Sequence, residues 1–329
     1  MKVCVVGAGA VGGLIGARFA LAGYPTAALA RGATLDALRH HGWRLETGES
    51  APVHADDDPA ALGPADLVVV AVKAPALPAV AARIPPLLGP DTVVMPAMNG
   101  VPWWFLTDPP LRSVDPGGTV AAAIPASRIL GCVVHFASQA PQPGLVRHTS
   151  GNGLIVGEPD GGSSPRAEQV VAALDKAGFS TRLSTSIRTD VWYKLWGNMT
   201  MNPISALTGA TADRILDAPL VSEFCLRVMA EAAEIGARIG CPITESGTDR
   251  IAVTRKLGAF KTSMLQDTEA GRPIELDALV TAVREIGERV GVPTPSLDSL
   301  LGLTQLAAQV RGLDPPLDAR APEEEPAGG

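Results

Sequence analysis

KVCVVGAGAVGGLIGARFALAG, residues 2–23, decides the fold. Residues 2–6 are an unbroken apolar run of strand length, and residues 10–22 have helical character up to Gly23. Between them Gly7, Gly9 and Gly12 form G-A-G-A-V-G. Here glycine permits a tight turn, close backbone approach to a pyrophosphate, and packing of the helix on its strand. The backbone of Gly7, Ala8, Gly9, Ala10, Val11 and Gly12 is therefore the expected phosphate cradle, facing the positive end of the following helix.

Working outward, residues 26–30 (TAALA) read as a second strand, and Arg31 closes it. No Asp or Glu lies between Gly12 and Arg31, where an acidic residue would bind the ribose 2′-hydroxyl of NAD. An arginine suits a 2′-phosphate, so the expected cofactor is NADP(H). A helix follows at 34–40, then a hairpin near 43–54. Residues 67–72 (LVVVAV) are continuous enough to be buried on both faces of a parallel sheet. Lys73 stands at the carboxyl end of that strand, where such sheets bind ligands. Residues 75–88 have helical spacing and 92–95 (TVVM) form a strand. The alternation predicts an α/β fold with a Rossmann-type doubly wound sheet. Residues 107–129 are rich in proline and glycine and read as a loop insertion. Strands at 131–138, 144–148 and 153–157, a helix at 166–177 and a strand at 179–183 complete a first domain, 1–187.

From residue 189 the periodicity is helical: 189–207, 213–240, 247–268, 276–290 and 296–311. Residues 188–312 are expected to be an all-α domain, and the proline- and acid-rich tail 313–329 to be disordered. The first of these helices carries VWYKLWGNMTMNPISAL, with Lys194, Asn198 and Asn202 four residues apart. On an α-helix they fan over a stripe about 80° wide. Val191, Trp192, Leu195, Trp196, Met199 and Met201 are apolar, which predicts partial burial. A lysine beside two amides in such surroundings is costly unless it is used.

With 329 residues, 46% hydrophobic and 19% charged, the chain can build two cores. A net charge of −7 argues against a general nucleic-acid or anionic-membrane binder. Cys4, Cys132, Cys225 and Cys241 are scattered, which disfavours a metal site or disulfide framework and suits a reducing cytoplasm. His135, in GCVVHFAS, reads as an interior residue rather than a ligand. The glycines interrupt the N-terminal apolar run, so it is not expected to act as a signal peptide, and no run reads as long enough to span a membrane. The apolar faces of the C-terminal helices allow packing within the chain or across a homodimer.

GAGAVG with Arg31, Lys73, MNGV at 98–101, the K-x3-N-x3-N stripe, SMLQD at 263–267 and RPIELDAL at 272–279 together resemble the ketopantoate reductase (2-dehydropantoate 2-reductase) family. The resemblance implies a substrate cleft between a Rossmann and a helical domain, and hydride transfer from NADPH to the ketone carbon of a 2-oxo acid. It makes Lys194 the general acid and puts Asn99 near nicotinamide and carbonyl. It gives Asn198 and Asn202 hydrogen bonds to substrate, Ser263 the carboxylate, and Glu275 the substrate hydroxyl and the orientation of Lys194. Read by itself, Glu275 also suits the first turn of a helix.

Some features depart from that family. Trp103-Trp104 follow MNGV-Pro, as packing or as the mouth of a different pocket. Residues 107–129 are longer than the family's connection. Phe260 and Ala212 stand where polar residues often occur, which points to a less polar pocket and another branched or bulkier 2-oxo acid. Two other readings compete: a β-hydroxyacid dehydrogenase, which shares the K-x3-N spacing, and a catalytically silent NADP-binding sensor or interaction protein.

Overall fold

The computed structural model describes residues 1–313, so nearly all of the tail expected to be disordered lies outside the described residues. The described residues divide into two compact units, one of Met1–Phe105 with Thr119–Val191, the other of Leu106–Gly118 with the described residues from Trp192 onward.

The first unit is built from two sheets. Strands β1 (Val3–Val6), β2 (Thr26–Leu29), β5 (His54–Asp56), β6 (Ala65–Val70) and β7 (Leu88–Pro96) form a wholly parallel sheet in the order β5-β2-β1-β6-β7. Successive strands are added outward to one side of β1 and then, from β6, to the other, so the junction of β1 and β6 is the switch point at which doubly wound sheets bind ligands. The second sheet was only partly foreseen. The hairpin strands β3 (Trp43–Leu45) and β4 (Ser50–Ala51) belong to it, with β8 (Gly131–Gln142), β9 (Leu145–Gly157) and β10 (Ser180–Ser184). The two strands expected at 144–148 and 153–157 are one, because β8 pairs with the whole of β9 through several register shifts. The outer half of β8 extends past the core, so His135 is exposed rather than interior.

Helix α1 (Ala10–Leu21) fills the space between these sheets. A Cβ on Gly12 would lie 2.9 Å from Val5 in β1, one on Gly13 2.6 Å from Val146 in β9, and one on Gly16 2.4 Å from the Trp43 ring in β3. Three glycines thus bring three strands against one helix. Leu14, Ile15 and Phe19 are completely buried around them, each contributing roughly 2 kcal/mol of apolar burial. The helical run expected over 75–88 is instead a short helix, Leu77–Ala81, flanked by 3-10 turns at Ala74–Ala76 and Pro85–Leu87, since four prolines in that stretch lack the amides a long helix needs.

The second unit is helical. Its longest element, Ile187–Thr208, carries the lysine stripe, and the division between units falls after Val191 within it. The helix expected at 213–240 is broken into Ala212–Asp217 and Pro219–Arg238, because Pro219 forces Ala218 into extended backbone. The helix expected at 247–268 is likewise two, Gly247–Arg255 and Ser263–Glu269, separated at Gly258, where φ is +68°. Helix Pro295–Val310 begins on Glu231, whose carboxylate accepts from the Ser296 and Leu297 amides at 2.9 Å each. The segment Leu106–Gly118 is gripped by Glu285, which accepts from the amides of Arg112 and Ser113, both at 2.9 Å, and from the Ser113 hydroxyl at 2.6 Å. No helix among the described residues is long and apolar enough to cross a membrane.

Candidate active site

The cradle begins where β1 ends. Gly7 turns the chain with φ +94°, and a Cβ there would sit 2.7 Å from Val72 Cγ1 and 2.8 Å from the Ala71 carbonyl oxygen. A Cβ on Gly12 would sit 2.2 Å from the Gly7 carbonyl oxygen. Gly9 is different: among the described residues, nothing beyond its own neighbours in the chain lies within 4 Å of where its Cβ would be. That side of the turn is open, as the approach of a pyrophosphate to the backbone requires. The first helical bond runs from Gly13 N–H to Gly9 C=O at 2.8 Å. The amides of Ala10, Val11 and Gly12 come before it and have no acceptor within the helix. The turn therefore fits a dinucleotide phosphate.

A cavity of about 660 Å³ opens there, lined by Gly7, Ala8, Gly9, Arg31 and Lys73 among others. Those five sequence-selected residues are brought together at the carboxyl ends of β1, β2 and β6. Thr34, Asp57 and Arg83 also line it, and nothing in the sequence marked them, since only the folded sheet brings residue 83 to residue 7. Arg83 is held there by a hydrogen bond to the Asp57 carbonyl. Three cations against one carboxylate leave the lining positive, which suits phosphate groups. Asn99 follows β7 in the same unit and is half-buried.

The lysine helix is fixed by its opposite face. Trp192 donates from Nε1 to the Ala232 carbonyl at 3.2 Å, and Trp196 to the Met229 carbonyl at 2.7 Å. Both indoles point about 180° away from Lys194 around the helix. Lys194 and Asn198 are half-buried and Asn202 is buried, so burial deepens along the stripe. Ser263 is exposed in the first turn of its helix, whose cap is Thr262. Glu275 is half-buried and lies two residues before a π-helical turn, Asp277–Thr281, a distortion often found at functional sites and one that composition does not reveal. The Ser263 and Glu275 segments are tied together by Arg272, whose amide and Nε both reach Asp267 at 2.9 Å.

Trp103 and Trp104 are packing residues. Both are buried; Trp103 donates to the Ile124 carbonyl at 3.3 Å, and Gly131 leaves the space that the Trp104 ring fills. Phe260 and Ala212 are neighbours, joined by Ala212 N–H to Phe260 C=O at 3.1 Å. Ala212 is completely buried, whereas Phe260 is only half-buried. The four cysteines are buried and none forms a disulfide among the described residues. Burial pushes the Cys4 thiol up to about 12 and that of Cys225 to about 11, so neither supplies a thiolate near neutrality.

Two family models match the chain: Ketopantoate reductase PanE/ApbA over residues 3–161, and Ketopantoate reductase PanE/ApbA C terminal over 186–308. A 2-dehydropantoate 2-reductase of Mesorhizobium japonicum is 42% identical over 323 residues, covering 95% of this chain and 99% of its own. A crystal structure of a candidate ketopantoate reductase from Ralstonia solanacearum MolK2 superposes with a TM-score of 0.92 at 60% identity, covering 95% of this chain and 99% of its own. The 2-dehydropantoate 2-reductase of Methylococcus capsulatus superposes at 0.83 with 26% identity, covering 94% and 98%.

Proposed function

The chain belongs to the ketopantoate reductase PanE/ApbA family of oxidoreductases, and we propose that it reduces 2-dehydropantoate to (R)-pantoate with NADPH. The observation that carries this reading is the stripe of Lys194, Asn198 and Asn202 on the face of a helix whose opposite face is pinned by two tryptophans. The name shared by the 42% identical relative supports the choice of substrate.

When bound, NADPH supplies the hydride that reduces the ketone carbon. The Gly7–Gly12 turn holds its pyrophosphate on backbone amides, while Arg31 pairs with the 2′-phosphate and Lys73 adds a cation at the same cavity. As the carbonyl oxygen gains charge, Lys194 donates its proton there from Nζ. Asn198 and Asn202 hydrogen-bond the substrate, Ser263 donates to its carboxylate, and Asn99 stands by the reacting carbonyl. Glu275 accepts from the substrate hydroxyl and orients Lys194.

Phe260 favours one second reading, a bulkier or more branched 2-oxo acid, because it is only half-buried beside the completely buried Ala212. The test is NADPH oxidation by purified protein with 2-dehydropantoate beside a panel of 2-oxo acids. Preferred turnover of 2-dehydropantoate is expected. Preference for a bulkier acid moves the assignment to the second reading, and absence of turnover across the panel overturns both.

A further inference from the structure

Arg250, on the helix Gly247–Arg255, is a cation for which the roles assigned so far have no use. Its guanidinium lies directly on the lysine helix. A Cβ on Gly197 would be 2.7 Å from Arg250 Nη2, 3.1 Å from Cζ and 3.3 Å from Nε. Gly197 is three residues after Lys194, which places it about 60° around the helix from Lys194, on the flank away from Asn198 and Asn202. The guanidinium also stacks 5.2 Å from the centroid of Tyr193, the next residue on that flank. Arg250 thus borders the stripe on the flank of Gly197 and Tyr193.

Its donors are underused. The one hydrogen bond its guanidinium makes among the described residues runs from Nη1 to Thr254 Oγ1 at 3.3 Å, and Nε is shut away from solvent with no partner. The nearby carboxylate, Glu245, accepts from the Tyr193 hydroxyl and forms no ion pair with Arg250. A guanidinium has five N–H donors in a fork that matches a carboxylate, so most of that capacity is unspent. Gly197 is equally telling. A glycine in a helix interior costs about 1 kcal/mol relative to alanine, and here it is buried at the one place where a methyl group would collide with Arg250.

We infer that Arg250 anchors the carboxylate of the 2-oxo acid beside Lys194, and that Gly197 is kept bare to let it reach there. This rests on the 2-oxo acid reading above. The inference makes the substrate's negative charge, rather than only its polar outline, a requirement of the helical unit.

The experiment uses the full chain and compares wild type, Gly197→Ala, Arg250→Lys and Arg250→Met. For each, KM and kcat are measured with 2-dehydropantoate and with the corresponding 2-oxo primary amide, binding of both is measured by calorimetry, and thermal unfolding is recorded. Arg250→Met should raise KM and Kd for the acid about ten- to a hundredfold. The amide should be almost unaffected, which collapses the acid-over-amide preference. Arg250→Lys should restore part of it. Gly197→Ala should weaken acid binding without lowering Tm, since it moves only the far end of a flexible side chain and gains helix propensity. Equal losses for acid and amide, or an unchanged preference in Arg250→Met, overturn the inference. A wild type that binds the acid through Arg250 without turnover upholds the inference and sinks the reaction. A wild type that turns over 2-dehydropantoate with no dependence on Arg250 does the reverse, and one that neither binds nor turns over sinks both.

Discussion

Gly9→Ala and Gly12→Ala add the same methyl group three residues apart, yet should fail in different ways. At Gly12 the new Cβ would stand 2.2 Å from the Gly7 carbonyl oxygen, 2.9 Å from Val5 Cγ1 and 3.0 Å from Ala71 Cβ. These atoms belong to the turn and the central strands, and cannot swing aside as a flexible side chain would. The start of α1 must lift by roughly 1 Å, an overpacking strain of about 1–3 kcal/mol. Gly9 has φ −84°, a value alanine tolerates, and its Cβ would meet nothing within 4 Å. The change in stability should stay within about 1 kcal/mol, since weaker capping and a less flexible unfolded chain offset each other. Its cost falls on the ligand: a phosphate held off the turn loses charged hydrogen bonds worth about 1.5–3 kcal/mol each, or roughly ten- to a hundredfold in affinity. Thermal unfolding and fluorescence titration with NADPH separate the two. Gly12→Ala should lose Tm and affinity together, Gly9→Ala affinity alone. Wild-type NADPH affinity in Gly9→Ala would refute the cradle.

Arg31→Ala should weaken NADPH binding about tenfold while leaving NADH within about twofold, read by parallel titrations. Equal losses would remove the 2′-phosphate assignment. Trp104→Ala should destabilise by about 3–5 kcal/mol in chemical denaturation without altering the ranking of 2-oxo acids, because the ring fills the first unit's core. Glu285 is predicted to make the Leu106–Gly118 segment acid-sensitive. Burial raises its pKa, but hydrogen bonds from the Ser113 hydroxyl, the Ser113 and Arg112 amides and Arg289 outweigh that and hold it below the usual glutamate range. A group depressed in the folded state stabilises fully above its unfolded value, about 4.3, and the contribution is lost as pH falls through the lower folded value. Hydrogen-exchange protection of residues 106–118, corrected for the intrinsic pH dependence of exchange, should therefore fall over that acid window in wild type. In Glu285→Gln the protection should be low and nearly independent of pH.

The parts of this molecule visible in its sequence are those specified over short range. The glycine pattern at 7–12 is a local steric requirement, LVVVAV at 67–72 is a run only a doubly buried strand needs, and Lys194, Asn198 and Asn202 are set by helical geometry alone. What escaped the reading depends on contacts distant in sequence. Pairing of residues 44–45 with 145–146, which carries the hairpin into the second sheet, has no local signal. Neither does the hold of Glu285 on a segment more than 170 residues earlier. The merged helices at 213–240 and 247–268 are a different failure: Pro219 and Gly258 were present to be read, but apolar periodicity on both sides outweighed them. His135 reads as interior because apolar neighbours in a strand do not tell where the strand leaves the core, and there it is exposed. Arg250 looks like one more surface cation in the sequence and gains meaning only when Gly197 is seen beneath it.

The central claim is that Lys194 is the proton donor to a reduced ketone. The direct measurement is the single-turnover rate of NADPH oxidation with saturating 2-dehydropantoate, wild type against Lys194→Ala, alongside the NADPH dissociation constant of each. The account predicts a loss of about 10²–10⁴ in rate with NADPH affinity unchanged within about twofold. A Lys194→Ala protein that turns over within about threefold of wild type would contradict it.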